Sequence, residues 1–430
     1  MFGGDRIRPL TYEDKIHTIF FTTFILKFLI SMEVAMSSKK PLLVTLAVTA
    51  LCAIGSLCIA NQSTSRAEQL YWEAVELHGK GKLAEALAKM KSAVNFASTN
   101  KSFRDYRKEL EAAVAVSTFD CHALTAPPEA EKSVDELAKY LTKPAKNDRE
   151  KVRLIFRWIT DRISYDTKSF FSDTPTETGA EGVLRTRISV CEGYANLFDA
   201  LCTAVGVYEV KISGYAKGFG YRSGDKFGED TDHSWNAVKL DGQWLMIDAT
   251  WGAGYTDGET KTFEKKLKEF YYLTPPEILL FSHLPKDPQY QFVKTPITKE
   301  QFEQWPEVNY TLFTVGFKQE AIRAVLDKQM ANSGFLEVID RPAVRTKVLE
   351  APLTSTLHAD KKVVIRIEAP GAIIVKAISN KDYKDPIEME LKKFGVYEAT
   401  LMPKKGELLI SGKLPGKGEN FWTILRYKVE

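Results

Sequence analysis

The chain has 430 residues, and at roughly 100–200 residues per domain that length implies two or three domains rather than one small module. Its composition, 44% hydrophobic, 11% aromatic and 27% charged, is that of an ordinary globular protein and excludes global disorder and a collagenous chain. A formal net charge of +3 is too small for a strong nucleic-acid field, and five cysteines without a CxxC pair or a Cys/His cluster of zinc spacing argue against a disulfide scaffold or a zinc module.

Residues 1–66 read as an export signal or membrane anchor. Lys39 and Lys40 precede an apolar run from Pro41 to Ala60, and Asn61 to Arg66 turns polar. The run is long enough to span a bilayer, while Cys58 and Ala60 fit the −3 and −1 positions of a cleavage site, so anchor and cleaved signal are both open. An earlier apolar stretch over residues 16–30, broken by Lys27 and followed by Met32 and Met36, leaves Met36 as an alternative start. Positive-inside logic places the chain beyond residue 60 outside the cytoplasm, secreted or in the cell envelope, and tethered to the membrane if cleavage fails.

Residues 67–126 carry a helical period. Leu70, Ala74 and Leu77 form one stripe, Gly79-Lys80-Gly81 a break, and Leu83, Leu87, Met90 and Val94 a second stripe. This hairpin looks like a single tetratricopeptide unit, but with no second copy a helical spacer packed on the next domain is the favoured reading. Phe103, Tyr106, Leu110 and Val114 add a third helix. A new domain, 128–309, begins after Pro127-Pro128. There Ser133 with Glu136, and Asn147 with Glu150, are capping pairs, and Val152, Ile155, Phe156, Ile159 and Ile163 share one helix face, which assigns Trp158 to packing.

The chemistry concentrates in two stretches. In SVCEGYANLFDALCTAVGV, residues 189–207, a helix is expected from Cys191 to a Gly206 C-cap. The unpaired N–H groups and positive dipole end at a helix start favour a thiolate, the nucleophilic form. Cys202, about three turns along, reads as an inert core thiol, and Cys121, beside His122 in a short polar segment, as a spectator. In DHSWNAVKLDGQWLMIDATW, residues 232–251, Asp241-Gly242 signals a two-residue hairpin turn. Leu240 opposite Gln243 then sets His233 opposite Thr250 and Asp248 one diagonal away on the same face, where a carboxylate can orient the imidazole. Thiol, imidazole and carboxylate match papain-like chemistry.

Here VCEGYANLF, GYAKGFGY, HSWNAVKLDGQWLMIDATWGAGY and YYLTPPEILLFSHLPKDPQYQ closely resemble the transglutaminase-like superfamily, especially its kyphoscoliosis-peptidase and cytokinesis-protein branch, over roughly residues 130–430. The resemblance implies Cys191 as nucleophile, His233 as base and Asp248 as orienting acid. It also implies an α+β fold, with a papain-like transglutaminase core whose central helix packs against an antiparallel sheet, and attack on protein or peptide amide bonds through a thioester. Hydrolysis and acyl transfer share that intermediate. Because the branch includes members with degraded triads, a non-catalytic surface scaffold or binding protein is the alternative, with the helical hairpin and the C-terminal domain as surfaces for protein partners. Tyr194, Trp235 and Trp251 are candidate cleft-lining aromatics.

The chemistry implied requires no metal or cofactor. The acidic loop Asp225, Glu229, Asp230, Asp232 lacks the order of a calcium loop, and Lys261 to Lys268, with Glu259 and Glu264 nearby, reads as a mixed exposed helix, not a nucleic-acid patch. Residues 310–430 are expected to be a β-sandwich-like domain. Val363, Ile365 and Ile367 alternate with polar residues, as do Phe421, Leu425, Tyr427 and Val429, and turns fall at Pro403–Gly406 and Pro415–Gly418.

Overall fold

A computed structural model describes residues 64–327, 334–339, 341, 344–380, 386–415 and 418–430. The expected export segment, Pro41 to Ala60, lies outside the described residues, and among those described no helix is long and apolar enough to cross a membrane. Three helices open the described chain: α1 over residues 64–79, α2 (Leu83–Phe96) and α3 (Lys101–Leu124). The break between α1 and α2 is the expected one, with Gly81 at positive φ. The chain divides into two compact units. In the described part of the first, residues 64–71 and 89–104, Tyr71 stacks on Phe103 at 5.0 Å and Met90 is buried. The second comprises residues 72–88 and 105 onward.

Within the second unit, Ser133 and Asn147 cap α4 (Val134–Thr142) and α5 (Asp148–Arg162) by accepting from the Glu136 and Glu150 backbone N–H groups. Each cap is worth roughly 0.5–2 kcal/mol. The apolar face expected of α5 is present, with Val152, Ile155, Phe156 and Ile159 fully buried. Trp158 is buried with them, its Nε1–H donating to Glu131. These helices surround α6 (Cys191–Ala204), whose Leu197, Phe198, Leu201 and Cys202 join the same apolar cluster. Fully burying each of the larger three contributes about 1.5–3 kcal/mol. The helix ends where expected, with Gly206 at φ +70°. On its other side lies an antiparallel sheet of β1 (Glu209–Ala216), β2 (His233–Leu240), β3 (Gln243–Ile247), β4 (Tyr272–Thr274) and β5 (His283–Pro285), in the order β4-β3-β2-β1-β5.

The hairpin turn has Asp241 at φ +52° and Gly242 at +80°, the two left-handed residues of a type I′ turn. Its register runs from Leu240 opposite Gln243 to Asn236 opposite Ile247. There the expected ladder stops. Thr250 never faces His233, because Asp248 ends the strand by capping a short helix, α7 (Ala249–Ala253), and His233 pairs with Gly214 on the other side.

Other elements also depart from expectation. The Lys261 to Lys268 stretch is not a helix. Phe263–Lys265 is a strand paired with Gly254–Thr256, and the Phe263 ring packing against Tyr165 at 6.2 Å outweighs local helix preference. Cys121 and His122 lie in the last turns of α3 rather than in a polar connection, with the His122 ring stacked on Tyr140 at 4.5 Å.

Among the described residues, the C-terminal third contains two sheets. One holds β6 (Glu337–Val338), β8 (Thr356–Leu357), β10 (Ile374–Ser379), β11 (Ile387–Glu388), β14 (Gly406–Lys413) and β15 (Phe421–Val429). The other holds β7 (Lys347–Glu350), β9 (Val363–Glu368), β12 (Glu390–Lys393) and β13 (Val396–Leu401). Ile365 and Ile367 from one sheet and Ile410, Leu425 and Tyr427 from the other meet in one cluster, the packing of a sandwich. A bulge between Ile410 and Ser411 shifts the β15 register, so Ile424 and Leu425 are both buried and Phe421 drops out of the expected alternation. The same cluster continues through Phe281, Phe302 and Trp305, so the sandwich shares its core with the segment after β5.

Candidate active site

Cys191 is the first residue of α6, half-buried, and its N-cap Val190 offers no side-chain acceptor. The helix start therefore has no side-chain cap, and the Gly193 N–H turns to the Val190 carbonyl at 3.0 Å. The next residue anchors this end to the sheet: Glu192 accepts from Lys211 Nζ of β1 at 2.5 Å and from Ser234 Oγ of β2 at 2.7 Å. Burial alone would raise the Glu192 carboxyl, but those two donors outweigh it and hold it below its ordinary value. Gly193 fits because a Cβ there would overlap Ser189 Oγ and crowd Val183.

His233 opens β2 and is buried between aromatic rings, Trp235 at 5.9 Å and Trp251 at 5.5 Å. Its Nε2 lies 2.9 Å from Asp248 Oδ2, as the sequence required, although Asp248 reaches it from a helix cap rather than from a strand. With Nε2 so engaged, Nδ1 is the ring nitrogen left for the Cys191 thiol, with which His233 also interacts. Burial opposes a charged imidazole, yet the Asp248 carboxylate and the thiol hold His233 above its ordinary value. Asp248 is buried too, and it is held below the usual carboxylate range because the His233 and His283 rings outweigh its desolvation. Such a set places an imidazole held by a carboxylate beside a thiol.

His283, which sequence reasoning did not single out, is the third ring of this cluster. It comes from edge strand β5, opposite Ala216 of β1, and its Nε2 lies 3.0 Å from the same Asp248 oxygen. Burial lowers its pKa despite the carboxylate. Its position inside the SHLP segment is the available signal, but no spacing rule links it to Asp248 thirty-five residues away. His233, Asp248 and His283 are also close enough to offer three ligand atoms to a metal ion, yet those atoms already point at one another as hydrogen-bond partners.

A cavity of about 480 Å³ opens beside His233, lined by Tyr165, Trp251, Phe270, Tyr271 and Lys268 among others. Of the three expected cleft aromatics, Trp251 alone lines it. Tyr194 is fully buried and its hydroxyl donates to the Ile163 carbonyl at 2.8 Å, which makes it a core residue. Trp235 is likewise core, packed beneath the His233 and His283 rings. Lys217, also on the cavity wall, donates to the Phe302 and Trp305 carbonyls at 2.7 Å each, and burial lowers it to about 7. Cys202 is fully buried, which raises its thiol well above the ordinary value, and Cys121 is exposed.

Residues 135–249 match the model of the transglutaminase-like superfamily. Kyphoscoliosis peptidase of Mus musculus is 39% identical over 170 residues, 40% of this chain and 26% of that one. Hillarin of Drosophila melanogaster is 32% identical over 217 residues, 47% and 26% of the two chains. Cytokinesis protein 3 of Schizosaccharomyces pombe is 28% identical over 200 residues, 45% and 21%. The matched region is about a quarter of the length of these relatives.

Proposed function

We propose that the protein is a thiol enzyme acting on protein or peptide amide bonds, a reading supported by the match of residues 135–249 to the transglutaminase-like superfamily. The observation that supports this reading best is the buried His233–Asp248 contact of 2.9 Å, with the free side of the imidazole turned to a thiol at a helix start. The Cys191 thiolate attacks the amide carbonyl carbon, and the carbonyl electron pair moves onto oxygen, stabilised in part by the Cys191 backbone N–H. Collapse of this intermediate breaks the C–N bond, and the His233 imidazolium gives its proton to the departing amine. The acyl group is left as a thioester. Water or a second amine then attacks it while His233 takes a proton, and thiolate departure regenerates the pair. The proposed setting is extracytoplasmic, on the strength of the basic-then-apolar pattern of residues 39–60.

The test is alkylation by iodoacetamide at neutral pH, read by peptide mass spectrometry on the full chain. Cys191 is expected to react far faster than exposed Cys121, and buried Cys202 hardly at all. Equal rates at Cys191 and Cys121 would remove the case for an activated thiolate and favour the scaffold reading. Cys191→Ala separates the same two alternatives in function: an enzyme loses activity with its fold intact, whereas a scaffold keeps its binding.

A further inference from the structure

Asp248 receives more donors than a triad carboxylate needs. Its Oδ1 accepts the Trp251 backbone N–H at 2.9 Å, which caps α7, and its Oδ2 faces two imidazole Nε2 atoms, His233 at 2.9 Å and His283 at 3.0 Å. Two imidazolium rings with centroids 5.3 Å apart, both buried, would repel strongly, so only one of them can carry the charge. The surroundings decide which. His283 has no exposed side-chain surface and is enclosed by the Trp251 ring at 4.4 Å and the Trp235 ring at 5.1 Å. Its Nε2 faces a carboxylate oxygen that can only accept, which places the ring proton there; in the neutral ring Nδ1 then accepts from Ser282 Oγ at 2.8 Å, a hydroxyl that also has the Leu279 carbonyl in reach at 3.2 Å. His233 instead borders the cavity and faces the thiol.

We infer that His283 is a positioning residue of the Cys191–His233–Asp248 centre, a neutral Nε2–H donor that fixes the Asp248 carboxylate in the plane where it can hold the His233 ring. This rests on the thiol-enzyme reading above. Without His283 the carboxylate keeps its cap to Trp251 but is free to turn about it, and the His233 ring loses its fixed direction toward the thiol.

The experiment compares three variants of the full chain by the second-order rate of Cys191 alkylation, with Cys121 as internal reference, and by the downfield imidazole N–H proton signals. His283→Gln carries its amide N–H near the place of Nε2 and should keep at least a third of the rate, together with the His233 signal. His283→Asn is one methylene too short to reach Oδ2, and His283→Leu donates nothing. Both should slow alkylation roughly tenfold or more, the weight of one hydrogen bond to a charged group, and lose or broaden the His233 signal. If the Gln, Asn and Leu variants all react alike, His283 does not act through this bond and the inference is overturned. If Cys191 of the unsubstituted protein reacts no faster than Cys121, the thiol-enzyme reading itself falls, and the positioning role with it. Should His283→Leu fail to fold, the contrast between the Gln and Asn variants decides the matter.

Discussion

Replacing Asp248 by Asn separates the work of the carboxylate from that of the base. The carboxylate has an oxygen for the Trp251 N–H and another for the two imidazoles, whereas an amide has one oxygen and one NH₂. If the NH₂ faces the rings, His233 must accept through Nε2, which leaves the proton on Nδ1 and puts the wrong tautomer against the thiol. If the amide flips, the oxygen serves the rings and the α7 cap is lost, at roughly 0.5–2 kcal/mol. The second arrangement is cheaper, since the first requires both imidazoles to give up their Nε2 protons, whereas the second opposes the NH₂ only to the Trp251 N–H. His233 then keeps an acceptor but loses its counter-charge. Removing a hydrogen bond to a charged group costs about 1.5–3 kcal/mol, which at tenfold per 1.4 kcal/mol is a slowing of roughly 10- to 150-fold. Iodoacetamide kinetics at Cys191 measure this directly. Asp248→Asn should fall within that range, while His233→Ala should bring Cys191 down to the rate of Cys121, because no base remains. A folded Asp248→Asn variant as unreactive as His233→Ala, or one as fast as the natural protein, would refute the division of roles.

Gly193→Ala should destabilise the fold by about 1–3 kcal/mol, since the new methyl overlaps Ser189 Oγ, and it should slow Cys191 alkylation by shifting the start of α6; thermal melts and labelling rates check both effects. Stability should also depend on pH through the buried pair. His233 is raised and contributes fully below its unfolded value near 6.5, losing that contribution as pH climbs through its folded value; Asp248 is lowered and contributes fully above its unfolded value near 3.8. The melting-temperature gap between the natural protein and Asp248→Asn should therefore be widest at about pH 4–6.5 and narrow on either side, and a gap that widens steadily above pH 8 would contradict this. Glu209 is pushed up to about 9 by burial and by neighbouring Asp199. Between its unfolded value near 4.5 and that figure, the folded chain retains a proton that the unfolded chain releases, so it loses stability as pH rises. Glu209→Gln should melt higher than the natural protein at pH 8, with the difference closing below pH 4.5, and equal melts at both pH values would refute it.

Most of the core was legible because its signals are local. Caps at Ser133 and Asn147, the apolar face of α5 and the Gly206 stop are set by residues within one or two turns of each other, and the α6 start came from the same kind of reading. The Asp241-Gly242 turn fixed the hairpin register out to Ile247. Beyond that point extrapolation failed, because Asp248 has two uses for its oxygens and the cap ends the strand before Thr250. The lost alternation at Phe421 has a similar origin: a bulge adds a residue to β15, and no period in the sequence marks where.

The site itself was half legible, and the boundary is physical. His233 and Asp248 lie on adjoining segments of one hairpin, so the turn register brings them near each other as far as Ile247, and the α7 cap supplies the last step. His283 joins them through sheet order, because β5 pairs with β1 and β1 pairs with β2, and sheet order is not encoded in the spacing of two strands so far apart in the chain. Tyr194 and Trp235 illustrate the converse error. Proximity in sequence to Cys191 and His233 suggested a cleft, but Tyr194 sits three residues after Cys191, nearly one helical turn further on, and points to the Ile163 carbonyl. Trp235 shares a strand face with His233 and therefore lies beneath its ring instead of beside the cavity. That arrangement suits a base that must be held: the ring is clamped by Trp235 and Trp251, the carboxylate by Trp251 and His283, and the thiol-bearing helix by Glu192 on two strands. Every group that must be aligned is thus tied to a second element, so that misalignment of one requires the sheet, α6 or α7 to move with it.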